Sequence, residues 1–171
     1  MAKKFYPNAL LPQHGRGYFG IGIYASKVSA NIGTLWRSAD LMGADFMFII
    51  CRRYQTMRTD KLKSWKHIPL FEYEKFEQFR ASLPKDSRLV GIELDERSTP
   101  ITSYCHPERA VYLLGAEDIG LPPEVLDCCN DVVQLPGRFS LNVSVAGSIV
   151  LYDRVLKLAQ RHLAATSQSG R

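Results

Sequence analysis

Short apolar runs of strand length alternate with stretches of helical periodicity along most of this chain, and that alternation admits few architectures. The run at 46–51, Phe-Met-Phe-Ile-Ile-Cys, is the clearest strand. It shows no polar alternation, which is the pattern of a strand buried on both faces of a parallel sheet. Just before it, Ile32, Leu35, Trp36, Ala39 and Met42 recur at near-helical spacing and form one apolar stripe. Asn31 is placed to cap that helix and Gly43 to stop it. Ahead of the helix, residues 19–24 alternate glycine with large apolar side chains, a strand that something else can approach closely. The first unit is therefore strand, helix, strand.

The pattern continues. Residues 68–73 read as an edge strand bearing Pro69. A helix at 75–83, with Phe76, Phe79 and Leu83 on one face, ends at Pro84. Strands follow at 89–94, 110–114 and 131–135. The turn-rich stretch 95–109 and a helix opening at Pro122-Pro123 separate them. A long helix from Asn142 to about residue 163 closes the chain. Residues 1–17 form an irregular arm, and 164–171 a frayed tail. The expectation is an α/β fold, a mainly parallel sheet flanked by helices, in a single domain over residues 1–171.

Charge is unevenly spread. The net charge is +5, and Arg52, Arg53, Arg58, Lys61, Lys63 and Lys66 crowd one loop against a single Asp60, with Tyr54 and Trp65 interleaved. Cations beside aromatics are what a phosphate backbone and stackable bases require, so this loop reads as a candidate nucleic-acid surface, the alternative being a solvated charged loop. The longest apolar run is too short to span a membrane, and Met-Ala-Lys-Lys leads into no secretory signal. Cys51, Cys105, Cys128 and Cys129 lack a C-x-x-C pair and read as buried small hydrophobes in a reducing cytoplasm. The four histidines lack ligand spacing, so no metal site is expected.

In α/β sheets ligands sit beyond the carboxyl ends of the strands. Three polar clusters fall there: 31–37, 115–120 and 136–142. No G-x-G-x-x-G, P-loop or G-x-S-x-G is present. Instead, Gly115 and Gly120 let main chain approach a flat ligand, while Leu114, Leu121, Leu135 and Leu141 offer apolar walls. Asn31, Arg37, Glu117, Ser140 and Asn142 supply polar handles.

Together these clusters resemble a known family. Asn31-x-Gly33-x-x-x-Arg37 is similar to motif 1 of the SpoU (TrmH-like) class of SPOUT RNA methyltransferases. Leu114-Gly115-Ala-Glu117-Asp-Ile-Gly120-Leu121 resembles motif 2. Leu135-Pro136-Gly137 with Ser140-Leu141-Asn142-Val143 resembles motif 3, although only Gly137-Arg138-Phe139 separates Pro136 from Ser140, a shorter spacer than is usual. The resemblance implies S-adenosylmethionine-dependent methylation of a ribose 2′-hydroxyl in tRNA or rRNA, a C-terminal trefoil knot and a homodimer. It also implies the minimal, single-domain type, with RNA recognised by the catalytic domain itself, the basic loop at 52–67 and a second subunit. Carried over by position, Arg37, Asn31, Glu117, Ser140 and Asn142 are the catalytic set. Ile92, Leu114, Gly115, Gly120, Leu135, Ser140 and Leu141 are the cofactor set. The family's motif 1 arginine is proposed as the base. A guanidinium rarely releases its proton, so stabilising the developing alkoxide is an equally sound role for Arg37. The alternatives are a protein of this fold that binds RNA without methylating it, or one that methylates a base nitrogen. The apolar content of the last helix independently suggests a two-fold partner surface.

Overall fold

The computed structural model describes residues 17–54 and 67–169. Among them, seven strands form one sheet in the order β3-β2-β1-β6-β4-β7-β5, and every pairing is parallel. The strands are β1 (Tyr18–Tyr24), β2 (Phe46–Ile50), β3 (Leu70–Tyr73), β4 (Arg88–Ile92), β5 (Thr99–Pro100), β6 (Arg109–Leu114) and β7 (Asp131–Gln134). The helices are α1 (Ser29–Leu41), α2 (Phe76–Ser82), α3 (Pro123–Leu126) and α4 (Val143–Ser169).

Two apolar layers sandwich the sheet. On one face Phe19, Ile21 and Ile23 of β1 meet Ile32, Leu35 and Trp36 of α1 and Val150 and Leu151 of α4. On the other, Phe46 and Phe48 of β2 join Phe76 and Phe79 of α2 and Val125 and Leu126 of α3. Side chains alternate across a strand, so Gly20 and Gly22 of β1 face this second layer. The register pairs them with Phe46 and Phe48, whose rings lean over the space a β-carbon would fill. What approaches these glycines is a neighbouring strand.

Helix α1 packs along α4, where Gly147 accommodates Leu35 and the Ser148 hydroxyl donates to that of Ser38 at 2.8 Å. Arg154 of α4 is fully buried and ties the helix to the sheet. Its Nη1 and Nη2 donate to the carbonyls of Pro107 and Glu108 at 2.6 and 2.8 Å, with the guanidinium 4.5 Å from the Phe19 ring centre.

The expected elements are present with shifted ends. Helix α1 begins at Ser29, so Asn31 lies inside it; Val28 occupies the cap position and makes no side-chain bond. Gly43, at φ +77°, does end the helix. Helix α4 continues to Ser169, past the expected end near residue 163 and through most of the tail expected to fray. The 95–109 stretch contributes the short strand β5 beside β7. Cys51 and Cys105 are exposed rather than buried, and Cys128 and Cys129 are half-buried; all four are free. No described helix is long and apolar enough to cross a membrane, and no metal-binding group of side chains occurs among the described residues. The arm at 1–16, Arg58, Lys61, Lys63, Trp65 and Lys66 lie outside the described residues.

Candidate active site

A cavity of about 270 Å³ opens where the carboxyl ends of β4 and β6 meet the segment after β7. Ile92, Leu114, Leu135, Val143 and Ala146 form its apolar walls. Two loops complete it, 115–120 after β6 and 139–141 before α4. The first is a tight turn closed by reciprocal backbone bonds between Ala116 and Gly120, 3.0 and 3.2 Å long. Glycine is required at both ends of this turn. A β-carbon on Gly115 would lie 2.3 Å from the Gly120 backbone, and Gly120 itself adopts φ +64°. The second loop is the exposed rim, formed by Phe139, Ser140 and Leu141. All seven residues of the expected cofactor set line this cavity.

Beside it, three segments distant in sequence are joined by side chains. Glu117 Oε1 accepts from Asn31 Nδ2 at 2.7 Å and from the Ser26 hydroxyl at 2.9 Å, and its Oε2 accepts from the Lys27 backbone N–H at 3.3 Å. Asn31 Oδ1 in turn accepts from Asn142 Nδ2 at 3.0 Å. Asn142 Oδ1 accepts from the Ser144 and Val145 backbone amides at 3.0 and 3.4 Å, so this side chain both caps α4 and reaches motif 1. Asn31 is freed for this network because its helix begins two residues earlier.

Burial pushes the Glu117 carboxyl up. Hydrogen bonds from Asn31, its own backbone, Ser26 and Lys27 outweigh that and hold it below the usual carboxylate range. A carboxylate so well satisfied is a weak base, which suits it to holding geometry rather than taking a proton.

Arg37 and Ser140 stand apart from this network. Arg37 is exposed on α1, six residues beyond Asn31 and roughly 9 Å further along the helix axis. It makes no hydrogen bond or ion pair among the described residues, so neither Asn31 nor Glu117 holds it. Ser140, at the cavity rim, likewise makes no side-chain hydrogen bond among the described residues. Of the basic loop, Arg52 and Arg53 are exposed, and Arg53 pairs with Glu74 at 3.2 Å.

Ser26, Lys27 and Glu93 were not singled out from sequence. Ser26 is buried against Glu117, and Lys27 Nζ pairs with Asp118. Glu93 lines the cavity and accepts the Leu121 N–H at 2.7 Å. Glu93 directly follows β4, and Ser26 and Lys27 lie two and three residues past β1, so a place near a strand end was their available signal.

The model of the SpoU rRNA Methylase family matches residues 20–152, which span the sheet, the cavity and all three motifs. The chain belongs to that family. It is 41% identical over 69 residues to the 23S rRNA (guanosine-2′-O-)-methyltransferase RlmB of Acinetobacter baylyi, covering 39% of this chain and 28% of that protein. An uncharacterized tRNA/rRNA methyltransferase of Archaeoglobus fulgidus is 32% identical over 130 residues, covering 71% of this chain and 57% of the relative. The chain thus spans less than two thirds of either relative. The AdoMet-bound rRNA methyltransferase of Sinorhizobium meliloti superposes with a TM-score of 0.72 at 25% identity, over 86% of this chain and 57% of that one. The TrmH/SpoU tRNA modifying enzyme of A. aeolicus reaches 0.76 at 18% identity, over 86% of this chain and 78% of its own, a likeness of fold. These neighbours share the parallel sheet flanked by helices.

Proposed function

We propose that this chain is an S-adenosylmethionine-dependent RNA methyltransferase acting on a ribose 2′-hydroxyl of tRNA or rRNA. The observation that carries the reading is the convergence of Asn31, Glu117 and Asn142 from three distant segments at the edge of one strand-end cavity. Family membership and the 2′-O-methylating relative support it. The cavity suits the cofactor: apolar walls take a flat heterocycle, the Gly115–Gly120 turn brings backbone close, and carboxylates face a cation. When bound, S-adenosylmethionine supplies an electrophilic methyl carried on a sulfonium.

The chain's own residues would do the rest. Ser140 and Leu141 at the rim border the reacting ribose. The Asn142–Asn31–Glu117 network fixes the spacing of that rim against the motif 2 turn, and such positioning is a large share of catalysis. Arg37, free on the α1 surface, is available to an incoming polyanion. A guanidinium is a pure donor, so its part is to stabilise charge developing on the hydroxyl oxygen. The exposed cations Arg52 and Arg53 begin the basic loop read as the RNA surface.

A two-fold dimer belongs to the same reading. Val145, Ile149, Tyr152 and Leu156 are exposed on α4 and recur at helical spacing, an apolar stripe that a second copy would cover. Arg37 and Ile149 flank the Ser38–Ser148 hydrogen bond, so stripe and arginine are neighbours. The trefoil knot belongs to it too, supported by the insertion of β7 between β4 and β5.

The test is methyl transfer from labelled S-adenosylmethionine to RNA by wild type and Arg37→Ala. The expected result is labelling by wild type and a loss of at least about a hundredfold in the variant, with cofactor affinity retained. Undiminished labelling by Arg37→Ala removes this residue from the reaction.

A further inference from the structure

The cavity carries a charge opposite to that of the chain around it. Glu93, Glu117 and Asp118 line it, and among the described residues no lysine, arginine or histidine does, although the chain has a net charge of +5. Lys27 neutralises Asp118. The other two carboxylates meet neutral donors only. Glu117 takes a hydroxyl, an amide and a backbone N–H. Glu93 Oε2 takes the Leu121 N–H at 2.7 Å, and its Oε1 takes the Leu94 N–H at 3.0 Å. Neither is in an ion pair among the described residues. The N-terminus of α4, beside the cavity at Val143, brings a partial positive charge of about half a unit, which offsets only part of the two.

Glu93 is also fixed in place. It leaves the end of β4, its backbone N–H bonds to the Val133 carbonyl at 3.1 Å, and its carboxylate occupies the space a β-carbon on Gly120 would fill. The charge is therefore held at the cavity wall, where water screens it less than at the surface.

We propose that Glu93 makes the cavity discriminate by charge, holding the cationic methyl donor more tightly than the neutral product left after transfer. This rests on the methyltransferase reading above. Transfer breaks the methyl carbon–sulfur bond with the electron pair remaining on sulfur, forms the carbon–oxygen bond and releases the hydroxyl proton. S-adenosylhomocysteine differs from the donor by that methyl and one positive charge. Its adenosine and amino-acid parts are unchanged, so the loss of attraction to Glu93 falls on product alone and favours its release. Glu93 is a specificity residue on this account, separate from the Asn31–Glu117–Asn142 network.

Calorimetric titration of S-adenosylmethionine and S-adenosylhomocysteine into wild type and Glu93→Gln tests this. Glutamine keeps an acceptor oxygen for the Leu121 N–H and removes the charge. The expected result is that wild type prefers the donor, and that Glu93→Gln lowers the donor-to-product affinity ratio at least about fivefold, the effect of one charge pair at about 4 Å even at the dielectric of water. Glu93→Asp should keep the wild-type preference. Sinefungin, which carries an amine in place of the methylsulfonium, should bind wild type like the donor, a measurement that needs no variant to fold. An unchanged ratio in Glu93→Gln, or wild type holding product and sinefungin equally, overturns the charge role while leaving the methyltransferase reading intact. Wild type that binds none of the three overturns that reading itself.

Discussion

His106 shows how one buried residue sets a condition on the whole fold. It is 1% exposed, its Nδ1 lies 2.6 Å from the Tyr112 hydroxyl and its Nε2 lies 2.8 Å from Asp153 Oδ2. Arg154 Nη1 donates to the Tyr112 oxygen at 3.1 Å, leaving the phenol proton for Nδ1, and Nε2–H then donates to Asp153. This is a fully used neutral imidazole. Burial pushes its pKa down to about 4, against a smaller upward pull from Asp153. The folded value lies below the ~6.5 of an unfolded histidine, so folding favours the neutral ring. The associated stability is complete above about pH 6.5 and is lost as pH falls toward 4. Urea unfolding should show wild type losing about 1–2 kcal/mol through this group between pH 7 and 5. His106→Asn, less stable at pH 7, should lose correspondingly less over the same interval. Equal losses in the two proteins would show that His106 does not titrate in this way.

Among the elements, the α1–α4 pair links scaffold to site. Asn31 and Asn142 join the helices' leading ends, Ser38 and Ser148 join them further along, and Leu35 fills the space over Gly147. The apolar stripe of α1 was legible because amphipathic periodicity is local. Its first residue was not, since Asn31 suits a cap but is drawn off by partners more than eighty residues away. Strand β5 escaped notice because two residues carry no period and exist only by pairing with β7. The outer stripe of α4 yields the prediction at this scale. Ile149→Glu, at a position already 39% exposed in one copy, should leave the monomer folded by circular dichroism. It should convert a dimer into a monomer by light scattering at micromolar concentration. A wild-type monomer, or a dimer that survives the charge, would place the partner surface elsewhere.

For the whole molecule, the sheet order brings the site together. Strands β6, β4 and β7 lie side by side although other elements separate them in the chain, so the turn after β6 and the rim after β7 face one cavity from neighbouring strand ends. Alternating local patterns were enough to foresee a parallel α/β sheet, but strand order depends on non-local pairing and left no local trace. The three motif clusters were visible as polar excess at strand ends. Ser26 and Glu93 were not, because a serine or glutamate after a strand is unremarkable until its partner is known. Arg37 shares motif 1 with Asn31 but stands outside the network, since helical geometry carries it roughly 9 Å past Asn31. The central claim is that this cavity directs a methyl group to a ribose oxygen. The most direct measurement is mass analysis of nucleosides released from RNA incubated with the protein and labelled S-adenosylmethionine. The account predicts a 2′-O-methylated nucleoside with the label on the sugar; label on the base, or none despite bound cofactor, would contradict it.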